Sequence, residues 1–136
     1  MDLSLLCRIV TPERRLFSGE VGFVALPAST GEIGIAPLHA PLVATLGQGE
    51  VRLMNVRRDD TERYAISGGY VEVKNDKVII LADRAVAVAE IDPAAVSAEL
   101  AEVQERIANA ETGDARLANY RDLESWYKTQ LALNAR

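Results

Sequence analysis

One cysteine and one histidine in 136 residues leave little material for the chemistry those side chains carry. A lone Cys7 excludes an intrachain disulfide and a thiolate metal site. A lone His39, with no serine or cysteine partner beside it, gives no support for an activated nucleophile. Aromatics make up only 5% of the chain, too few and too scattered to line an evident ligand pocket. Basic residues are outnumbered, 15 against 20 acidic, and the net charge of -5 opposes binding to phosphate backbones or anionic lipid. Long apolar runs are missing as well. With Asp2 directly after the first methionine, neither a secretory signal nor a membrane-spanning helix is written, so a soluble cytoplasmic chain is expected.

The glycines do not form a phosphate cradle. "GEIG", "GQG" and "SGG" lack both the GxxxxGK[ST] pattern and the strand, GxGxxG and helix succession of a dinucleotide fold. Glu99, Glu102 and Glu105 recur at helical spacing on a polar face, which reads as solvated surface rather than an acid and base pair. No cofactor and no metal are expected.

What is present divides into two halves of different period. Up to about Glu90, short stretches rich in β-branched or alternating apolar residues read as strands: "LSLLCRIV", "EVGFVALP", "APLVATL", "EVRLMNV", "RYAISG", "YVEVK" and "KVIILA". They are punctuated by "SGE", "GQG", "RRDD", "SGG" and "KNDK", and the last predicts a tight hairpin through Asn75 and Asp76. Many short strands at such spacing indicate a sandwich or barrel. Leu3, Leu5, Cys7 and Ile9 share one strand face, so Cys7 is expected to be a buried, inert thiol.

After Glu90 the period becomes helical. Asp92 is a good cap, Pro93 suits the first helical position, and Ile91 can staple to Val96. Val96, Leu100, Val103 and Ile107 form one stripe, Gly113 stops the helix, and Asp114 is the expected cap of a second. In that second helix Leu117, Tyr120, Tyr127 and Leu131 lie beside a stripe of Leu123, Trp126 and Leu133, together covering roughly 200° of the circumference. One partner helix cannot cover so wide a face, so either the strand half or another protein is expected to share it. The fold expected is α+β by content: an antiparallel β-sandwich of about ten strands over 1–90, followed by an antiparallel helical hairpin over 91–136.

"GEIGIAPLHAPL", Gly31 to Leu42, offers backbone shape rather than reactive groups. Pro37 and Pro41 stiffen it, Gly31 and Gly34 permit reversals, and Ile33, Ile35, Leu38 and Leu42 are expected to anchor it. It reads as a stiff exposed loop suited to docking. His39 either hydrogen bonds a loop carbonyl or meets a partner.

Four ordered segments, "TPERRLFSGEV", "GEIGIAPLHAPLVATLGQGEVRL", "AISGGYVEV" and "ILADRAVAVAEID", followed by an Ala-rich hairpin, resemble the epsilon-subunit family of bacterial F-type ATP synthases, called delta in mitochondria. The resemblance covers nearly all of the strand half and extends through the helices in architecture. It implies a non-catalytic rotor subunit at the foot of the central stalk, peripheral on the cytoplasmic face of a bacterial plasma membrane, with no direct lipid insertion. Its partners would be the gamma subunit and the c-ring. Carried over by motif, Gly31, Glu32, Ile33 and Gly34 would approach the c-ring, and His39, Ala40, Pro41 and Leu42 the gamma subunit. Family members also use the hairpin as a regulator, extended toward the alpha and beta subunits so that basic side chains hold back ATP hydrolysis. Arg106, Arg116, Arg121 and Lys128 are the candidates for those contacts.

Two features depart from the family pattern. From Asp92 onward eight acidic residues face five basic ones, so long-range charge does not draw this hairpin toward an acidic partner. Some bacterial members bind ATP through IDxxRA, whereas this chain reads "IDPAAV": Ile91 and Asp92 match, but Ala95 and Val96 replace the arginine and alanine. Without the arginine fork no nucleotide site is expected. The alternative function is a free-standing sandwich that binds a ligand or acts as an adaptor, with a helical dimerisation tail; a small hydrolase would need a catalytic constellation the chain lacks.

Overall fold

The computed structural model describes residues 3–136. The chain forms two compact units, Met1–Ala87 and Val88–Arg136. Among the described residues the first holds eight strands: β1 (Leu5–Val10), β2 (Arg15–Val21), β3 (Phe23–Ala28), β4 (Gly31–Ile35), β5 (Leu42–Thr45), β6 (Gln48–Met54), β7 (Thr61–Lys74) and β8 (Lys77–Ala87). Their order is β2-β1-β8-β7-β6-β3-β4, with β5 also paired to β7. All pairings are antiparallel except β1 with β8.

A single sheet becomes a sandwich because its long strands bend. β5 and β6 pair with successive parts of β7 in one unbroken register, Leu42↔Val73 through Met54↔Thr61. The interruption between them, Leu46 and Gly47, falls opposite Gly69 and Gly68, and the pairing of β7 with β8 skips Gly68 and Asp83 in the same row. Gly68 (φ +71) and Gly69 (φ +109) adopt a backbone that L side chains rarely reach. A Cβ on Gly69 would lie 1.9 Å from the Leu81 carbonyl oxygen, so only glycine lets β7 turn this tightly against β8. Below the bend β5, β7, β8, β1 and β2 form one layer; above it β7, β8, β6, β3 and β4 form the other. Eight strands thus supply ten layer segments, five to each side.

Between the layers the core is mostly aliphatic. Leu5, Ile9, Leu26, Ile35, Leu53, Ile66 and Ile80 are fully buried, each contributing about 1.5–3 kcal/mol of transfer free energy. Cys7 belongs to this cluster, and burial pushes its thiol up to about 12, so it stays protonated and inert. Leu3 departs from the expected face: it precedes β1 and is exposed. The whole cluster lies within the strand unit.

Several expected boundaries move. "RYAISG" and "YVEVK" are one strand, since the two glycines bend β7 without ending it. "SGE", expected as a turn, lies inside β2, where Gly19 pairs with Cys7 at the sheet edge and Phe17 meets Tyr64 edge-on at 6.3 Å. The Asn75–Asp76 hairpin forms as expected, with both residues at positive φ and Lys74 paired to Lys77.

In the second unit a 3-10 turn (Val88–Glu90) leads into α1 (Pro93–Asn109) and α2 (Leu117–Asn134). The Asp92 carboxylate accepts from the amides of Ala94 and Ala95, a cap worth about 1 kcal/mol, and Ile91 and Val96 are both buried. Asp114 does not cap α2. It accepts from the Arg116 amide and closes a turn ahead of the helix, whose N-cap is Arg116. On α2 the buried row is Trp126, Gln130 and Leu133, while Leu117, Tyr120, Leu123, Tyr127 and Leu131 are half-buried.

Replacing Gly69 with alanine should lower the unfolding free energy by more than about 2 kcal/mol, because the new methyl meets backbone. Gly31→Ala should cost only about 1 kcal/mol, since its φ of +135 is strained but its Cβ direction is open. Urea titrations of both variants check this; equal losses would refute the steric argument.

Candidate docking surface

Gly31–Ile35 is not a loop. It is β4, the edge strand of its layer, hydrogen-bonded to β3 in the register Ala28↔Gly31 through Val24↔Ile35. The turn Ser29–Thr30 joins the two strands, and Gly31 needs its positive φ to leave that turn. Ser29 fastens the tip to β5: its amide donates to the Thr45 carbonyl at 2.9 Å and its hydroxyl lies 2.7 Å from that of Thr45. The alternation of a strand then sorts the side chains. Ile35 is fully buried and Ile33 half-buried against the core, while Glu32 and Gly34 face solvent.

A charged ladder crosses the outer face beside Glu32. The Glu32 carboxylate accepts from Arg52 on β6. Glu50, two residues earlier on β6, lies 3.8 Å from Arg52 and accepts from Arg63 of β7 at 2.6 Å. The Glu50 carboxylate offsets the repulsion between two arginines that face each other directly across the strand pair. Pairs at this exposure contribute only about 0–1 kcal/mol each, so their effect is to orient Glu32 rather than to hold the fold. Gly34 lies under the Phe23 ring, where a Cβ would come within 2.6 Å of its tip, and the Arg58 guanidinium sits 5.4 Å from the ring centroid.

Beyond β4 the chain turns through Ala36–Pro41. Leu38, expected as a core anchor, is instead 74% exposed and adopts φ +67, a left-handed conformation costing roughly 1–2 kcal/mol for a residue with a Cβ. Its amide donates to the Asp76 carboxylate at 2.7 Å, which ties this turn to the β7–β8 hairpin. His39 is half-buried, and its Nδ1 donates to the Ala40 carbonyl at 2.7 Å. Ala40 and Pro41 are exposed, and Leu42 packs against the core. Gly31–Gly34 therefore lie in a hydrogen-bonded strand and His39–Pro41 in a turn of the same unit, with Leu42 opening β5. Sequence reasoning missed Asp76, Arg52, Glu50 and Phe23. Only Asp76 left a local trace, as a turn residue, because the others act across strands.

On the helical unit three of the four candidate cations already have carboxylate partners. Arg106 donates to Glu102 at 2.8 Å, Arg116 to Asp114 at 3.1 Å, and Lys128 lies 3.7 Å from Glu124. The hydrogen bond from Arg116 holds the Asp114 carboxyl below its usual range, and the Arg116 guanidinium also sits 6.0 Å from the Tyr120 ring centroid. Arg121 is exposed. The open groove at the loop end is lined by Glu102, Glu105 and Glu111 beside Arg106 and Arg116, a balance that repels phosphate. At the partial nucleotide motif Asp92 is engaged as a helix cap and Val96 is buried. Among the described residues no group of three or more His, Cys, Asp or Glu side chains is placed to hold a metal, and no helix is long and apolar enough to cross a membrane.

Comparison with known proteins places this geometry in a family. The profile described as "ATP synthase, Delta/Epsilon chain, beta-sandwich domain" matches residues 4–88. The ATP synthase epsilon chain of Dichelobacter nodosus is 39% identical over 125 residues, covering 92% of this chain and 84% of its own length. That of Pelotomaculum thermopropionicum is 39% identical over 100 residues, covering 74% and 73%. Among solved structures, a chain of the Euglena gracilis mitochondrial ATP synthase OSCP/F1/c-ring superposes with a TM-score of 0.78 at 19% identity, over 95% of this chain and 80% of that one.

ATP titrated into the isolated chain should show no site tighter than about 1 mM, because the phosphate-gripping arginine is replaced and the motif aspartate is committed to the helix. A calorimetric isotherm with a micromolar site would overturn this.

Proposed function

The chain belongs to the delta/epsilon family of ATP synthase subunits as an epsilon chain, and on that premise we propose that it is a non-catalytic central-stalk subunit that transmits c-ring rotation to the gamma subunit and the catalytic head during proton-driven ATP synthesis. In this reading β4 meets the ring through Gly31, Glu32, Ile33 and Gly34, and the following turn meets gamma through His39, Ala40, Pro41 and Leu42. The assembled subunit lies peripherally on the cytoplasmic face of the plasma membrane.

The observation that carries this reading is the bonding that holds the surface in place. β4 is bonded into the sheet, its outward carboxylate is held by Arg52, and the turn is tied to Asp76. A coupling element must transmit torque without yielding, and a surface ordered before contact loses little conformational entropy on docking. Glu32 meets the ring as a paired carboxylate, so the ring loop must either accept the Glu32–Arg52 pair as a unit or replace Arg52 with its own donor.

Hydrolysis control by the hairpin competes with its internal ion pairs. An acidic segment of the beta subunit would have to displace Glu102, Asp114 and Glu124 from Arg106, Arg116 and Lys128, while Arg121 is the cation it meets most readily. The hairpin is therefore a weak brake.

Two experiments test the proposal. Inverted membranes carrying Glu32→Lys should lose at least about half of their ATP-driven proton pumping while ATP hydrolysis persists, since the contact slips rather than the catalysis failing; unchanged pumping would remove Glu32 from the contact. A complex reconstituted with the chain cut after Glu90 should retain the subunit, because the buried cluster of the strand unit is intact, and should hydrolyse ATP within about twofold of the full-length complex. A rise of tenfold would show that local contacts overcome the hairpin's negative charge.

A further inference from the structure

Four charged side chains alternate in sign across one outer face of the strand unit: Glu32 on β4, Arg52 and Glu50 on β6, and Arg63 on β7. The strand between β4 and β6 is β3, whose sequence FVALPA holds no polar side chain. Arg52 therefore finds no side-chain acceptor on its neighbour and reaches over β3 to Glu32, which stands opposite Pro27 in the β3–β4 register. On its other side Arg52 faces Arg63 directly in the β6–β7 pair. Like charges so placed repel.

Glu50 is the most sheltered of the four, with 11% of its side chain exposed against 27% for Arg63, 39% for Arg52 and 59% for Glu32. Its Oε2 accepts from Arg63 Nε at 2.6 Å, while its Oε1 lies 3.8 Å from Arg52 Nε, an ionic contact too long for a hydrogen bond. Arg52 keeps its hydrogen bond for Glu32. Glu50 thus offsets the charge of Arg63 without taking Arg52 away from β4. An exposed pair such as Glu32 and Arg52 holds its geometry weakly by itself, and a sheltered carboxylate behind the arginine fixes where the guanidinium sits.

We infer that Glu50 is the positioning residue for the outward carboxylate of Glu32, acting through Arg52 by balancing the charge of Arg63. The inference rests on the docking reading above, in which Glu32 meets the ring. The balance is two-sided. Without the charge of Glu50, Arg63 drives Arg52 away; without the charge of Arg63, Glu50 is left with Arg52 as its only cation and competes with Glu32 for it. Removing both charges returns Arg52 to a single pairing with Glu32.

Two readouts on the full-length chain test this. In the free chain, water exchange of the Arg52 Nη hydrogens, followed by NMR, reports the bond to Glu32; it should be about threefold faster in Glu50→Gln than in wild type and should slow again when Arg63→Gln is added. In inverted membranes, protons pumped per ATP hydrolysed should fall by about a third in Glu50→Gln and in Arg63→Gln, and by less than either in the double variant. Thermal midpoints should stay within about 5 °C of wild type, since pairs at this exposure contribute little. A larger fall in midpoint for Glu50→Gln, or losses of coupling that add in the double variant, would make these residues structural and overturn the inference. Wild-type exchange at Arg52 in Glu50→Gln would overturn it as well. Wild-type coupling in Glu50→Gln beside a loss in Glu32→Lys would refute the positioning role and leave the docking reading standing. Wild-type coupling in both variants would refute the docking reading itself, and the inference with it.

Discussion

The contact between Gly69 and the Leu81 carbonyl is the constraint on which the strand unit depends. Strands as long as β7 and β8, paired in one register, would otherwise form a single twisted ribbon with one apolar face open to water. Because Gly69 has no Cβ, the backbone closes onto Leu81, and the row through Gly47, Gly68 and Asp83 becomes a corner. The two arms of β7 then carry Ile66 on one side of the corner and Val71 and Val73 on the other into one core. The parallel strand β1 with β2 beyond it, and β3 with the edge strand β4 beyond it, follow from this folding, completing the two layers that the corner created.

The same corner sets which supports the outward-facing groups of the strand unit have. It separates the arm of β7 that ends at the Asn75–Asp76 hairpin from the arm that supports β6, and β6 carries the arginine that orients Glu32. The surface thus has two supports of different kind. An ionic ladder spans strands at β4, and a single backbone-to-carboxylate hydrogen bond secures the turn at Leu38. Neither supplies a nucleophile, an acid and base pair or a metal cage, and both restrict motion. The helical unit differs: Arg106, Arg116 and Lys128 each pair with a carboxylate within about one turn.

Local signals were legible wherever a few adjacent residues decide the outcome. Asn75 and Asp76 accept positive φ, Asp92 caps with Pro93 after it, and the alternation of Leu5, Cys7 and Ile9 buries one face. Signals failed where a distant partner decides. The "SGE" segment has turn composition, yet Cys7 pairs with its glycine and keeps it extended. Gly31–Ile35 is short and glycine-bounded, so it read as a loop until β3 supplied the hydrogen bonds that make it a strand. Leu38 looked like an anchor because leucine usually is one, but Asp76, 38 residues away, holds its backbone outward. Asp114 has the chemistry of a helix cap, and its carboxylate was taken instead by Arg116, which begins the helix two residues later.

By itself the sequence determined the division into a strand half and a helical half, the family, and the poverty of catalytic groups, because periodicity, ordered motifs and composition are properties of the chain alone. The tertiary structure alone decided that eight strands serve as ten, that the glycine-rich segment is an edge strand, and which charges are already paired. Those outcomes depend on hydrogen bonds and close approaches between residues far apart in the chain, and such pairings exist only once the chain has folded.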